Sequence, residues 1–187
     1  MKKTGSIIGI LVLVFSISVF SNESKVGYKG FNLGQSRQAV TSFIKDKFTR
    51  ISYSINKDMR IETGDMVYTD LFFDHLDMVY YIQVEIKSGE VSKVKQRLVE
   101  TYGQPNDFSG KEFNRENKSH LTSRWLIDKR YKIALWESEY CRSSRLNPCI
   151  LYVEYMDLKM KDAKGKHEQK VKLEEQRKKD GKTYDGF

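Results

Sequence analysis

The spacing of apolar residues first predicts a helix early in the chain. Residues 30–36 have the composition of a turn that ends in Ser36, a residue type that commonly caps helix N-termini. Four apolar residues then recur every three or four positions, which places them on one side of a helix. They are Val40, Phe43, Ile44 and Phe48. We therefore expect a helix that begins after Ser36 and buries this stripe.

Alternation at period two follows this helix. Residues 51–55, 67–73 and 78–86 each alternate apolar with polar side chains, which is the pattern of half-buried strands. The short polar segment 74–77 separates the last two runs and suits a hairpin turn. The first half of the chain therefore predicts a helix followed by a β-meander.

The second half repeats this order. Apolar residues at helical spacing in 91–102 predict a second helix, and Gly103 with Pro105 just beyond it closes that helix. Strand patterns follow, the first two on either side of a polar turn. They are 125–127, 131–135 and 150–155.

Consecutive strands with helices between the groups predict an α+β fold, in which helices pack on one face of an antiparallel sheet. The predicted domain covers 22–156, with possible similar halves at 30–86 and 88–156. Residues 157–187 are rich in Lys, Glu, Gln and Asp and contain few apolar residues. They bury little surface, so we expect a solvated helix or a disordered tail.

The N-terminus has the layout of a secretory signal peptide. Lys2 and Lys3 precede an apolar run at 7–20, which ends beside the small residue Ser21. The run is shorter than the roughly 20 residues that span a bilayer as a helix. We therefore expect cleavage after residue 21 and a periplasmic or secreted protein, with an uncleaved anchor as the alternative.

The chain has two cysteines, Cys141 and Cys149, with seven residues between them. In an exported chain such an isolated pair predicts one disulfide that closes a short loop, and free thiols are the alternative. Two cysteines without a nearby histidine supply too few ligands for zinc. The pair therefore predicts a disulfide, and no metal site.

The formal net charge is +8, but the excess of basic residues is spread along the chain. Because no segment concentrates this charge, we expect no nucleic-acid partner. Mild positive charge suits an acidic protein or envelope surface, although it also serves solubility alone. From residue 157 onward ten Lys or Arg outnumber seven Asp or Glu, so the tail is a candidate for contact with acidic surfaces.

The sequence offers little catalytic chemistry. Its histidines lie in a turn, a polar loop and the charged tail, and none has a second histidine at metal-ligand spacing. We expect neither a metal nor a cofactor. The best acid-base cluster is Asp74, His75 and Asp77, and a plain hairpin turn also explains these residues. No catalytic residue is assigned.

One strand face combines aromatic and basic residues. Trp136 falls on the strand face opposite Ile133 and Leu135. Aromatic residues and arginine often anchor protein interfaces, although Trp136 can equally pack beneath another element. The full candidate binding set contains loop arginines and two further tyrosines on outward strand positions. It is Trp136, Arg142, Arg145, Tyr68 and Tyr81.

Two short motifs carry a resemblance to a known family. The segment Phe31-Asn-Leu-Gly-Gln-Ser36 precedes the first helix, and Tyr102-Gly-Gln-Pro105 closes the second ahead of Trp125. This arrangement resembles envelope proteins of the SmpA/OmlA outer-membrane-assembly type and the β-lactamase-inhibitor-protein-like fold. Those proteins pack helices on an antiparallel sheet and bind other proteins. The resemblance covers about 28–155, and this chain lacks the lipidated cysteine of the assembly proteins.

The sequence therefore predicts an exported, non-enzymatic module that binds another protein of the cell envelope or extracellular space. The alternative is a small envelope hydrolase whose site forms from residues distant in sequence. His75 with Asp74 and Asp77 are the candidates that such a hydrolase has.

Overall fold

The computed structural model describes residues 25–47, 51–53, 58–64, 67–87, 91–106, 112–115, 118–138 and 150–184. The predicted signal peptide, the Cys141 and Cys149 pair, and the loop residues Arg142 and Arg145 lie outside these ranges. Their predicted roles stay predictions.

The described residues form three helices and ten strands. The helices are α1 (Arg37–Lys47), α2 (Val91–Tyr102) and α3 (Leu158–Tyr184). The strands of the first half are β1 (Gly27–Tyr28), β2 (Phe31–Asn32), β3 (Ile51–Tyr53), β4 (Met59–Gly64), β5 (Val67–Phe73) and β6 (Val79–Ile86). Those of the second half are β7 (Phe113–Asn114), β8 (Ser119–Ile127), β9 (Tyr131–Ser138) and β10 (Leu151–Asp157).

Eight of the strands form one antiparallel sheet in the order β3-β4-β5-β6-β10-β9-β8-β7, and β1 pairs with β2 separately. The fold is α+β, as predicted. Each half contributes a helix and then a four-stranded meander, and the last strands of the two meanders pair at the centre of the sheet. The sheet order is therefore the same when it is read outward from the β6–β10 pair in either direction.

The predicted helix ends are confirmed. The Ala39 backbone N–H donates to Ser36 Oγ over 3.2 Å, which caps α1. Gly103 closes α2 with a positive φ of 80°, and its N–H donates to the Val99 carbonyl over 2.9 Å. Local sequence signals therefore set both helices.

One face of the large sheet packs against α1 and α2 and forms the main core. Val40 and Ile44 of α1 and Leu98 of α2 are buried against it. Trp125 is 1% exposed, and its indole N–H donates to the Gly103 carbonyl over 2.7 Å. The largest residues of the sheet within this core that are no more than 1% exposed are Ile61, Leu71, Ile82, Trp125, Ile133 and Leu135.

Strand β4 and the start of β6 differ from the sequence prediction. Residues 59–64 form a regular strand that alternates buried and half-buried positions, whereas no strand was predicted there. In β6 the register shifts, so that Phe73 pairs with Val79 but Phe72 pairs with Tyr81. Tyr80 is the extra residue, and Val79 joins the core in its place.

Helix α3 continues directly from β10, so the charged tail is helical up to Tyr184. Asp157 Oδ1 accepts the backbone N–H groups of Lys159 (3.0 Å) and Met160 (3.1 Å), while Arg130 holds Oδ2 from two nitrogens at 2.9 and 2.7 Å. Every residue from 166 to 180 is exposed. Among the described helices, none is both long and apolar enough to span a membrane.

Candidate binding surface on the outer face of the sheet

The outer face is the side of the eight-stranded sheet opposite α1 and α2. Antiparallel register brings side chains from successive strands into rows across it. In one row Tyr68 pairs with Glu85, Glu85 with Tyr152, and Tyr152 with Trp136. The side chains on this face include Arg60, Tyr68, Asp70, Phe72, Tyr81, Glu85, Lys132, Ala134, Trp136, Tyr152 and Glu154.

Arg60 organises a charged cluster at the β4 to β6 side of this face. Its Nη2 lies 2.7 Å from Glu85 Oε2, and its Nη1 lies 3.3 Å from Asp70 Oδ2. The guanidinium carbon lies 4.8 Å from the centroid of the Tyr68 ring, and Lys87 Nζ lies 4.7 Å from the same centroid. Two cations therefore lie against the half-buried ring of Tyr68. The carboxylates of Asp70 and Glu85 fix the position of the arginine.

Partial burial on this face shifts the pKa values of its titratable groups. Burial raises the pKa of Asp70, against the lowering influence of Arg60, and it also raises the pKa of Tyr152. Burial lowers the pKa of Lys132, against the raising influence of Glu154. The outer face is therefore partly desolvated, although polar side chains line it.

Tyr81 and Glu154 form a buried polar pair at the centre. The Tyr81 hydroxyl donates to Glu154 Oε1 over 2.9 Å, and Glu154 is 7% exposed. Burial and then the negative charge of Glu154 raise the pKa of Tyr81, so this phenol stays a neutral donor. Its ring packs against Phe72 at a centroid distance of 4.8 Å. Tyr81 therefore lies on the predicted face, where its hydroxyl is bound to Glu154 and its ring packs against Phe72.

Trp136 also lies on the predicted face, and it is 6% exposed. Its ring completes a second apolar cluster with Leu121 and Ala134, both fully buried, and with Tyr152 packed against it. This burial agrees with the alternative, in which Trp136 packs beneath neighbouring residues. Its Nε1 is buried and has no hydrogen-bond partner among the described residues, a cost that the packing of the ring offsets.

The half-buried residues that sequence reasoning missed are Arg60, Glu85 and Tyr152. The structure joins them to Tyr68, which was predicted, through the same row and the same charged cluster. A signal for them exists, because Arg60 alternates with Met59 and Ile61, and Tyr152 alternates with Leu151 and Val153.

The structure uses Asp74, His75 and Asp77 to build the β5–β6 turn. Asp74 Oδ1 accepts the backbone N–H groups of Leu76 (2.9 Å) and Met78 (3.0 Å). Asp77 pairs with Arg37 of α1 at 3.0 Å, and His75 stacks on His167 of α3 with 4.4 Å between ring centroids. Among these described contacts, none joins the imidazole to either carboxylate, so no proton relay is formed.

No group of three or more His, Cys, Asp or Glu within the described ranges is placed to hold a metal ion. Comparisons with protein-family models, curated proteins and solved structures find no match to this chain. The interpretation of the outer face therefore depends on its own geometry.

Proposed function

We propose that this protein is an exported, non-enzymatic module that holds another protein of the cell envelope or extracellular space on its outer face. The observation that carries the proposal is the half-buried row of Tyr68 and Tyr152, with Arg60 stacked on the first and tied to the Glu85 between them. Tyrosine and arginine are the residue types that most often dominate interface energetics.

Rigidity supports this role. Arg60 is held by two carboxylates and by the Tyr68 ring, so its side chain is ordered before any partner arrives. Ordering a long side chain during association costs free energy, and a preordered one avoids most of that cost.

The partner that suits this surface is an acidic protein. Without residues 1–21 the chain has 31 Lys or Arg against 25 Asp or Glu, a formal net charge of +6, and α3 presents an exposed stretch in which basic residues outnumber acidic ones. Charge of this kind steers association and adds contacts that salt weakens. The resemblance to SmpA/OmlA-type proteins, which bind other proteins, supports the same role.

The test is photo-crosslinking in the native cells. A photoreactive phenylalanine is placed at Tyr68, at Tyr152 and, as control, at Phe113, an aromatic residue that is 42% exposed on the edge strand β7. We expect one adduct of the same mass from positions 68 and 152 and none from 113. Equal crosslinking at all three positions, or an adduct at 113 alone, contradicts the proposal.

Export is tested separately by the intact mass of the protein from envelope, soluble and secreted fractions. We expect a chain that has lost residues 1–21 and carries two hydrogens fewer, from a disulfide between Cys141 and Cys149. A full-length, reduced chain in the cytoplasm would remove the compartment on which the choice of partner depends.

A further inference from the structure

A cavity of about 290 Å³ lies on the other side of the sheet, between β1, α2 and strands β6 and β10. Its apolar walls are Val94 and Leu98 of α2 together with Ile86 and Val153 of the sheet. Ligand sites are typically concave and largely apolar, with few polar groups that fix orientation. The cavity has this composition.

Tyr155 lines the cavity and is the most deeply buried of its polar side chains. It is 4% exposed, and no hydrogen bond joins its hydroxyl to another residue of the described ranges. Tyr102, which lines the same cavity, donates its hydroxyl to the Gly27 carbonyl over 3.1 Å. The hydroxyl of Tyr155 is therefore available to donate to an oxygen of a ligand in the cavity. Burial raises the pKa of Tyr155, which keeps it a neutral donor.

The charged residues that line the cavity are both cations. Lys29 Nζ donates to the Thr63 carbonyl over 2.9 Å, and it lies 5.5 Å from the centroid of the Tyr28 ring. Arg97 is an exposed residue of α2 and forms no ion pair with a described carboxylate. No Asp or Glu is found among the described residues that line this cavity. Its electrostatic preference is therefore for an anion.

We propose that this cavity binds a small amphipathic carboxylic acid. The carboxylate accepts a hydrogen bond from the Tyr155 hydroxyl, while Lys29 and Arg97 offset its charge. The hydrocarbon part packs against Val94 and Leu98. At roughly 30 Å³ for each water-sized group, the volume holds about ten non-hydrogen atoms, which is the size of octanoate.

The test is a titration of the purified protein with octanoate, followed by calorimetry or by amide chemical shifts. We expect saturable binding that weakens about tenfold or more in Arg97→Gln and in Tyr155→Phe, because each removes a donor to a charged acceptor. The matched control Arg177→Gln changes an exposed arginine of α3 and should leave the affinity unchanged. Octanol, which has the chain without the charge, should bind more weakly than octanoate.

A filled cavity gives a second test. Val94→Trp places a large ring against the apolar wall and should abolish binding, whereas Val171→Trp on the exposed part of α3 should not. If Val94→Trp does not fold, Arg97→Gln and Tyr155→Phe decide. No saturable binding to the unmodified protein, or equal affinity for octanol and octanoate with no effect of Arg97→Gln, overturns the proposal.

The cavity and the outer face are tested independently. Tyr68→Ala alters the proposed protein-binding surface, on the opposite side of the sheet from α2. We therefore expect Tyr68→Ala to bind octanoate with unchanged affinity. A loss of octanoate binding in Tyr68→Ala would mean that octanoate binds on the outer face and not in the cavity beside α2.

Discussion

Two faces of one sheet, built on the same five strands, are held together by different forces. Along one row the core face presents Leu71, Ile82, Tyr155, Ile133 and Trp125. One residue earlier along β5, β8 and β10, and one residue later along β6 and β9, the outer face presents Asp70, Gln83, Glu154, Ala134 and Arg124. The backbone register determines which side chains of neighbouring strands lie next to each other. The alternation of side chains along each strand determines whether a contact is stabilised by apolar burial or by polar pairing.

The two faces should therefore respond differently to mutation. Removing a buried apolar side chain loses both its transfer free energy and its packing, and it leaves a cavity. Removing one member of a half-exposed ion pair loses a small net interaction, because water already solvates part of it. Substitutions on the core face should therefore lower the free energy of unfolding more than substitutions on the outer face do.

The largest effect is expected at Trp125 on the core face. Trp125→Ala should lower the free energy of unfolding by about 3–5 kcal/mol, because a fully buried ring and its hydrogen bond to Gly103 are lost. Leu126→Ala, one residue along and 42% exposed, should change it by less than about 0.5 kcal/mol. Urea denaturation of both variants measures the contrast, and similar losses would mean that the faces are not distinct.

The next effect is expected where the core face ends, at Asp157. Its side chain is 1% exposed, caps α3 and binds Arg130, so Asp157→Ala should cost about 2–3 kcal/mol. Asp162→Ala is the matched control on the same helix, because Asp162 pairs with Lys166 in an exposed position. Thermal unfolding should show a clear shift for the first variant and none for the second.

A smaller effect is expected in the charged cluster of the outer face. The Arg60 side chain is 42% exposed, so Arg60→Ala should cost about 0.5–1 kcal/mol. A double-mutant cycle with Glu85→Gln, read by urea denaturation, isolates the pair and should give a coupling in the same range. A coupling energy as large as the loss from Trp125→Ala would show that the Arg60–Glu85 pair contributes as much to the free energy of unfolding as core burial does.

The smallest effect is a pH dependence at Asp70. Burial raises the pKa of this carboxyl, so the folded protein binds the proton more tightly than the unfolded chain does. The contribution of Asp70 to stability is therefore greatest at acid pH and declines as the pH rises from about 4 through the raised pKa. Denaturation at several pH values should show that Asp70→Asn removes this decline. A decline that persists unchanged in Asp70→Asn assigns it to another group.

Local signals explain why both helices were predictable. Ser36 caps α1, and Gly103 with its positive φ ends α2, and both effects act within a few residues of sequence. The β5–β6 hairpin was predictable for the same reason, because Asp74 closes its turn through its own side chain.

Strand β4 and the pairing of the two halves show what local patterns leave out. Arg60 and Glu62 alternate with Met59 and Ile61, which is a strand pattern over only a few residues, whereas the pairing of Arg60 with Asp70 and Glu85 from other strands has no local signal. The central β6–β10 pair joins residues far apart in sequence, and no local pattern specifies such a partner.

The candidate site was partly predictable for a related reason. Period-two alternation placed Tyr68, Tyr81 and Trp136 on one face, which the structure confirms. Alternation does not report how deeply a side chain lies. The burial of Trp136 comes from Leu121 on the neighbouring strand β8, whose distance in sequence hides the contact.

Helix α3 begins on a turn that is already built. An isolated helix must first fix one turn for a single hydrogen bond, an unfavourable step with an equilibrium factor of roughly 10⁻³. Strand β10 and the side chain of Asp157 provide that turn, so the helix beyond His167, about 25 Å long, propagates from an existing nucleus. Order at the far end of α3 therefore originates in the sheet, and loss of one carboxylate at Asp157 should lower helicity at residues that it never touches.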